Sequence, residues 1–264
     1  MSVLNVWQID SFEGGKGSRA AYLQNIGNEF SENSGCYVTV TSITATAARE
    51  NLKSGNVPDL ISYGAGTHGI ESYIVGKTPY FCWCNGGYCV LTTTEGADFS
   101  DISAENTVIN AGTDNLAEVC ALFCGLNGAD VEKPTGAYVK LINGKYKYLL
   151  GTQRDIYRLK TRGVAFAVKP VTEFNDLYQN ISITSKNKAK IAQNFIAFLL
   201  KKRETVNKLG LITDGVKLYD DEMSVMEGLT YNYTLKATVS ENTKTEINSA
   251  FNDGDIKKLK PLFK

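Results

Sequence analysis

The chain has 264 residues with a formal net charge of zero, 43% of them hydrophobic and 21% charged. That is an ordinary globular composition, long enough for one large domain or two lobes around a sizeable core, and it excludes a disordered chain. No dense Lys/Arg cluster offers the basic face that nucleic-acid binding needs, and no apolar run approaches the roughly 20 residues of a membrane span.

The sequence shows no signal peptide and starts almost directly in a strand, Val3-Leu4-Asn5-Val6-Trp7. Two expectations stay open: a cytosolic protein, or an exported one whose leader has been removed. A Gly-rich loop follows, Glu13-Gly14-Gly15-Lys16-Gly17, and Ser18 can cap a helix that carries Ala21, Tyr22, Ile26 and Phe30 on one side. Tyr37-Val38-Thr39-Val40 reads as a second strand. Thr44 or Thr46 opens a short helix that stops near Ser54-Gly55, and Pro58-Asp59 introduces a third strand, Leu60-Ile61-Ser62-Tyr63. This β-α-β-α-β order predicts a parallel sheet with helical crossovers.

After Pro79 the pattern changes. Residues 80–94 are apolar, aromatic and Gly-interrupted without a helical period, and read as extended chain passing between lobes. Further strands are predicted at 107–110, 145–151 and 164–168, and helices at 115–126 and 186–203. The fold class is therefore α/β, with one lobe formed by residues 1–79 and 170–264 and a smaller one by residues 80–169. A cleft between two such lobes is a favoured ligand site, and ligands of open α/β sheets sit at the carboxyl ends of strands. That draws attention to residues 8–13, 63–68 and 151–155.

Several motifs imitate other chemistries. Gly64-Ala65-Gly66-Thr67-His68-Gly69 fits a dinucleotide fingerprint, but it follows the third strand, and no acidic residue stands about 20 residues on. In Glu13-Gly14-Gly15-Lys16-Gly17-Ser18, Gly17 splits the Lys–Ser pair that a phosphate loop needs. What survives is a Gly-rich loop opening a helix, whose N–H groups suit either capping or a ligand. His68 is the only histidine and lacks a nucleophile elbow. Cys36, Cys82, Cys84, Cys89, Cys120 and Cys124 lack paired C-x-x-C spacing and read as small buried hydrophobes rather than a zinc site. No cofactor is expected. Asp10, Glu13, Asp59 and Asp155 are the carboxylates that a glycoside hydrolase would draw on.

Three stretches of the second half resemble the extracellular solute-binding proteins of ABC transporters, and in particular the carbohydrate-binding group (family 1-like). They are Leu141-Ile142-Asn143-Gly144-Lys145-Tyr146 with Gly151, then Val164-Ala165-Phe166-Ala167-Val168-Lys169-Pro170, then Ser185-Lys186-Asn187-Lys188 with Phe195-Ile196-Ala197-Phe198-Leu199 and Gly210-Leu211-Ile212. In the first half, Asn5-Val6-Trp7 resembles the opening strand of that family, and Gly55-Asn56-Val57-Pro58-Asp59 its approach to the third strand. The resemblance implies a two-lobe, periplasmic-binding-protein-like fold of type II with the ligand cleft between lobes. It also implies a hinge, closure around a small solute and a membrane permease as partner. Export is implied as well, with a lipid anchor or a periplasmic life and a leader trimmed before Met1. The family places Trp after its G-K-x-A-M segment. Here the residues are Gly151-Thr152-Gln153-Arg154-Asp155, which leaves Trp7, Trp83, Tyr63 and Tyr178 as stacking surfaces for a sugar.

By position, the candidate ligand-binding residues are Asp10, Glu13, Tyr63, Gly64, Gln153, Arg154 and Asp155, followed by Trp83 and Tyr178. Gln153 and Asp155 offer directional hydrogen bonds, and Arg154 a planar fork for a carboxylate or phosphate, or else for a salt bridge with Asp155 or Glu13. The expected function is non-enzymatic capture of a small polar solute, a sugar or oligosaccharide first and a small anion or polyamine second, by a monomer that hands it to a permease. A stand-alone sensor module and a carboxylate-dependent glycoside hydrolase are the alternatives.

Overall fold

A computed structural model describes residues 2–9, 17–112 and 116–264. The first half runs β1 (Ser2–Ile9), α1 (Arg19–Ser34), β2 (Cys36–Ile43), α2 (Ala45–Lys53), β3 (Leu60–Gly64), β4 (Phe81–Asn85), β5 (Tyr88–Thr92), β6 (Thr107–Asn110), α3 (Ala117–Phe123) and β7 (Asp130–Glu132). The second runs α4 (Pro134–Ile142), β8 (Tyr148–Thr152), α5 (Gln153–Thr161), β9 (Ala167–Pro170), β10 (Tyr178–Ile183), α6 (Ala189–Lys201), α7 (Glu241–Asn252) and α8 (Ile256–Leu259).

These elements form two compact units. The first comprises Met1–Asn85, Tyr178–Thr213 and Ala237–Glu241; the second comprises Gly86–Leu177, Asp214–Lys236 and Asn242–Lys264. The chain changes unit at 85/86 and 177/178, later than the 79/80 and 169/170 read from the sequence. Most of the last 50 residues join the second unit.

Each unit has one five-stranded sheet, ordered β2-β1-β3-β10-β4 in the first and β7-β6-β8-β5-β9 in the second. In the first, β1 pairs in parallel with β2 and β3, while β10 pairs antiparallel with β3 and β4. In the second, β6 pairs in parallel with β7 and β8, while β5 pairs antiparallel with β8 and β9. The two patterns are the same: three parallel strands, then one that runs back, then an edge strand that follows the direction of the first three. The sequence carries no repeat that announces it.

The local causes are ordinary. Ser18 accepts the N–H of Ala21 and starts α1, and Gly35 ends it with φ 65°, its N–H returning to Ser31 O. Tyr22, Leu23, Ile26 and Phe30 face the core at helical spacing. Trp7, Ile9, Ile61 and Tyr63 pack with Ala48 and Leu52 of α2. On α6, Ala192, Phe195, Ile196 and Leu199 are buried. Phe195 meets Phe30 edge-on, with ring centroids 5.5 Å apart.

Some elements differ from expectation. The extended stretch 80–94 is two strands, β4 and β5, separated by Gly86-Gly87. β10 escapes the alternation rule because Gln179, Asn180 and Ser182 are buried polar residues in a strand otherwise made of Tyr178, Ile181 and Ile183. Among the described residues all six cysteines are free thiols; Cys36, Cys84, Cys89 and Cys120 are buried.

Phe195 has 0% exposure and lies inside the first unit. Phe195→Ala should cost about 3–5 kcal/mol, combining lost transfer energy with the cavity left behind. Urea unfolding followed by circular dichroism checks this; a loss under 1 kcal/mol would mean that α6 is not packed as described.

Candidate functional site

In the second unit, β6 and β8 run side by side in parallel, with Ile109 opposite Leu150. Asn110 and Thr152 therefore finish at the same edge of the sheet. The antiparallel strand β5 begins there too, because Tyr88 lies opposite Thr152.

The turn from β8 into α5 is tightly organised. Thr152 caps the helix: its side chain accepts the N–H of Arg154 at 3.3 Å and that of Asp155, while the Asp155 carboxylate reaches back to the Thr152 N–H at 3.1 Å. Asp155 Oδ2 also accepts Asn110 Nδ2 at 2.7 Å, and Oδ1 faces Arg158 Nη1 at 3.4 Å. Arg158 in turn donates to Pro134 O at 2.8 Å. Asp155 is 1% exposed. Burial raises its pKa, opposed by the Thr152 N–H, Asn110, and then Arg158 and Arg154. Gly151 must lack a Cβ, which would stand 2.4 Å from Asp155 Oδ2.

Gln153, the first residue of α5, is 0% exposed. Its N–H donates to Gly87 O at 3.2 Å, and its Oε1 accepts Gly87 N–H at 3.0 Å. A Cβ on Gly86 would meet Oε1 at 2.6 Å and Nε2 at 2.7 Å, so the glycine at 86 is what admits this carboxamide. Among the described residues Gln153 Nε2 and Asn110 Oδ1 have no hydrogen-bond partner. Arg154 is half-buried; burial, then the charge of Arg158, lowers its pKa. The ion pair of Asp155 thus goes to Arg158.

Beside this edge Asp176 is buried and accepts Tyr88 Oη at 2.7 Å and Leu116 N–H at 2.9 Å. Burial pushes its pKa up to about 6, with those two bonds opposing. The sequence reading did not single out Asp176 or Asn110. A buried Asp beside buried Asn175 has no spacing signature. The Thr152–Asp155 spacing, in contrast, is a legible capping signal that reveals α5.

In the first unit, the carboxyl end of β3 holds Ser62, Tyr63 and Gly64, and the antiparallel β10 begins opposite it. Tyr63 is fully buried, bonded to Ser182 Oγ at 2.8 Å, and burial pushes its pKa up to about 12. Gly64 O accepts both N–H and Oγ1 of Thr67. Trp83 is fully buried; its Nε1 donates to Ser62 Oγ at 3.0 Å and its face stacks on Tyr22 at 5.6 Å. Gln179 Nε2 donates to the same Ser62 Oγ at 3.1 Å. Tyr178 is half-buried. Asp10 and Glu13 lie outside the described residues, as does most of the Gly-rich loop, but Arg19, just beyond it, is buried at the start of α1. Asp59 is taken by Asn5 N–H at 2.8 Å and Lys188 Nζ at 2.9 Å, away from these strand ends. Among the described residues no three His, Cys, Asp or Glu side chains converge as a metal site, and no helix is long and apolar enough to cross a membrane.

No family model matches the chain, and no curated protein matches it in sequence. Solved structures match it in fold. A substrate-binding domain ascribed to a molybdenum ABC transporter from Clostridium difficile covers 81% of this chain and 99% of its own, with TM-score 0.56 and 12% identity. Iron-bound HitA from Pseudomonas aeruginosa covers 97% of this chain and 100% of its own, with TM-score 0.58 and 12% identity. An ancestral cationic amino acid solute-binding protein covers 79% and 94%, with TM-score 0.51 and 17% identity. At these identities the likeness establishes the fold: α/β, of the type II periplasmic-binding-protein-like class, with two mixed sheets and their helices. The ligands in those names are molybdenum, iron and cationic amino acids; none is a sugar.

Asp176 sets a pH dependence. Its pKa is about 6 in the folded chain and near 3.8 when unfolded, so the stability linked to its proton is full below about 4 and is lost as pH rises through 6. Lowering the pH from 7 to 5 should therefore add about 1 kcal/mol to unfolding stability, and Asp176→Asn should remove that gain. Denaturant titrations at the two pH values decide it; a flat or falling wild-type profile would sink the assignment.

Proposed function

We propose that this chain is the solute-binding protein of an ABC importer, working outside the cytoplasm and without catalysis. The observation that carries the reading is the type II fold, matched over 97% of the chain by a protein described as iron-bound. Two supporting features come from the chain itself. Buried polar side chains gather at the carboxyl strand ends of each unit: Ser62, Gln179 and Trp83 in the first, Asn110, Gln153 and Asp155 in the second. Such edges are where open α/β sheets take ligands.

The carboxylates within the described residues also favour binding over hydrolysis. Asp59 is engaged by Lys188 and Asn5, and Asp155 is enclosed by Thr152, Asn110 and Arg158. Neither is held as a free acid or base near a second carboxylate, as glycoside cleavage requires.

The finer reading is a monomeric receptor, periplasmic or held at the membrane by a lipid anchor. It captures a sugar or oligosaccharide by lobe closure and delivers it to a membrane permease. Tyr63, Gly64, Gln153, Arg154, Asp155, Trp83 and Tyr178, with Asp10 and Glu13, remain its proposed ligand-binding set. A small anion or polyamine is the second ligand class, and Arg154 suits the anion.

Thermal unfolding against mono- and oligosaccharides, amino acids, polyamines and oxyanions tests the reading. A ligand at about a hundred times its Kd adds roughly 2.7 kcal/mol, or about 5–10 °C for a chain of this size. A shift of that size with one compound class is the expected result. Turnover of a glycoside, or no shift with any class, would overturn the reading.

A further inference from the structure

We propose that Gln153 and Asn110 are the groups by which the second unit tells a neutral solute from an oxyanion. The inference rests on the solute-binding reading and names the ligand chemistry of that same site. Both carboxamides stand at the carboxyl edge of adjacent parallel strands, Asn110 closing β6 and Gln153 following β8. They are 4% and 0% exposed.

The orientation of each amide follows from its neighbours. Asn110 Nδ2 must face Asp155 Oδ2, because a carboxylate only accepts, so Asn110 Oδ1 points away as an acceptor. Gln153 Oε1 must face Gly87 N–H, because that group only donates, so Nε2 is left as a donor. Among the described residues neither remaining atom has a partner. Burying such a group without one costs about 1–3 kcal/mol, so a ligand that supplies both bonds recovers that cost.

The start of α5 is where a tetrahedral oxyanion would be expected to sit, but its N–H groups are already taken. Thr152 N–H goes to Asp155, Gln153 N–H to Gly87 O, and Arg154 and Asp155 N–H to Thr152 Oγ1. The buried Asp155 carboxylate adds negative charge to the same turn. Arg154 and Arg158 attract anions to this corner, yet a fully deprotonated oxyanion such as sulfate or molybdate offers only acceptors, against Asn110 Oδ1 and Asp155. A hydroxyl or a neutral amide gives one hydrogen bond and takes one, which matches the pair.

The test is isothermal titration calorimetry of the full chain with D-glucose, maltose, L-glutamine, L-arginine, spermidine, molybdate, sulfate and phosphate. Gln153→Glu keeps the oxygen that holds Gly87 N–H and turns the donor into an acceptor. Gln153→Met keeps the shape and removes both bonds. A neutral probe, D-glucose, maltose or L-glutamine, should bind the wild type. Its affinity should fall at least about 10-fold in Gln153→Glu, with circular dichroism unchanged. Should that variant unfold, Gln153→Met carries the comparison, and Asn110→Ala should weaken the same probe. A neutral probe bound equally by the folded variants would overturn the assignment of these residues. Binding of arginine, spermidine or an oxyanion in preference to every neutral probe would overturn the neutral class while leaving solute binding intact. No heat from any probe would remove the solute-binding reading and this inference with it.

Discussion

A carboxylate drawn out of water loses several hydrogen bonds at once, and the protein must return them or protonate it. Asp155 is the place where this demand shapes the molecule most. Its two oxygens collect the Thr152 N–H, the Asn110 amide and the Arg158 guanidinium, from β6, from the β8–α5 turn and from the second turn of α5. The consequences spread outward. Gly151 is confined to glycine by the approach of Oδ2, Asn110 has its amide orientation fixed, and α5 is capped at Thr152. On the proposed reading, the groups left over for a ligand are those that Asp155 does not use.

The same topology built twice explains why such an edge exists in each unit. Three parallel strands bring their carboxyl ends together, and the one strand that runs back in each unit, β10 or β5, begins at that edge. Backbone that enters and leaves there must be held by side chains, because the ladder ends. Ser62 does this in the first unit, accepting Trp83 Nε1 and Gln179 Nε2, and Gln153 does it in the second by bonding Gly87. Trp83, read from sequence as a stacking surface, has one face on Tyr22 and its polar tip committed to Ser62.

How much was legible in the sequence follows from where the signal is apolar. The β1–α1–β2–α2–β3 order is carried by Val6, Trp7, Ile26, Phe30, Val38 and Ile61, whose periods match the elements they occupy. The strand β10 and the hub at Asp155 are built from buried Gln, Asn, Ser and Asp, which hydropathy assigns to the surface. Gln153 and Asp155 were reached through position at a strand end. Asn110 and Asp176 needed the register of β6 on β8 and the return of the chain at residue 177, neither of which one sequence displays. The boundaries moved for a related reason: β4 and β5 are continuous in apolar character, and Gly86-Gly87 divides them, Gly86 making room for Gln153.

The residues just inside the second unit are unusually well bonded. Asn175 donates Nδ2 to Gly86 O at 3.0 Å, accepts Leu177 N–H at 3.1 Å, and exchanges backbone bonds with Tyr233 and Leu235. Gly86 N–H closes the set on Leu177 O at 2.7 Å, and Asp176 ties Tyr88 to Leu116. Three passages of chain, at 86–88, 175–177 and 233–235, are therefore stitched into one frame, the first two by buried side chains and backbone and the third by backbone bonds to Asn175. A frame of that kind resists local rearrangement, since loosening any one strand would orphan several buried polar groups together. Gln153 reads its geometry from Gly87, which belongs to this frame. The donor it leaves unpaired is held by the packing of the unit, and the proposed discrimination between solutes would draw on that rigidity.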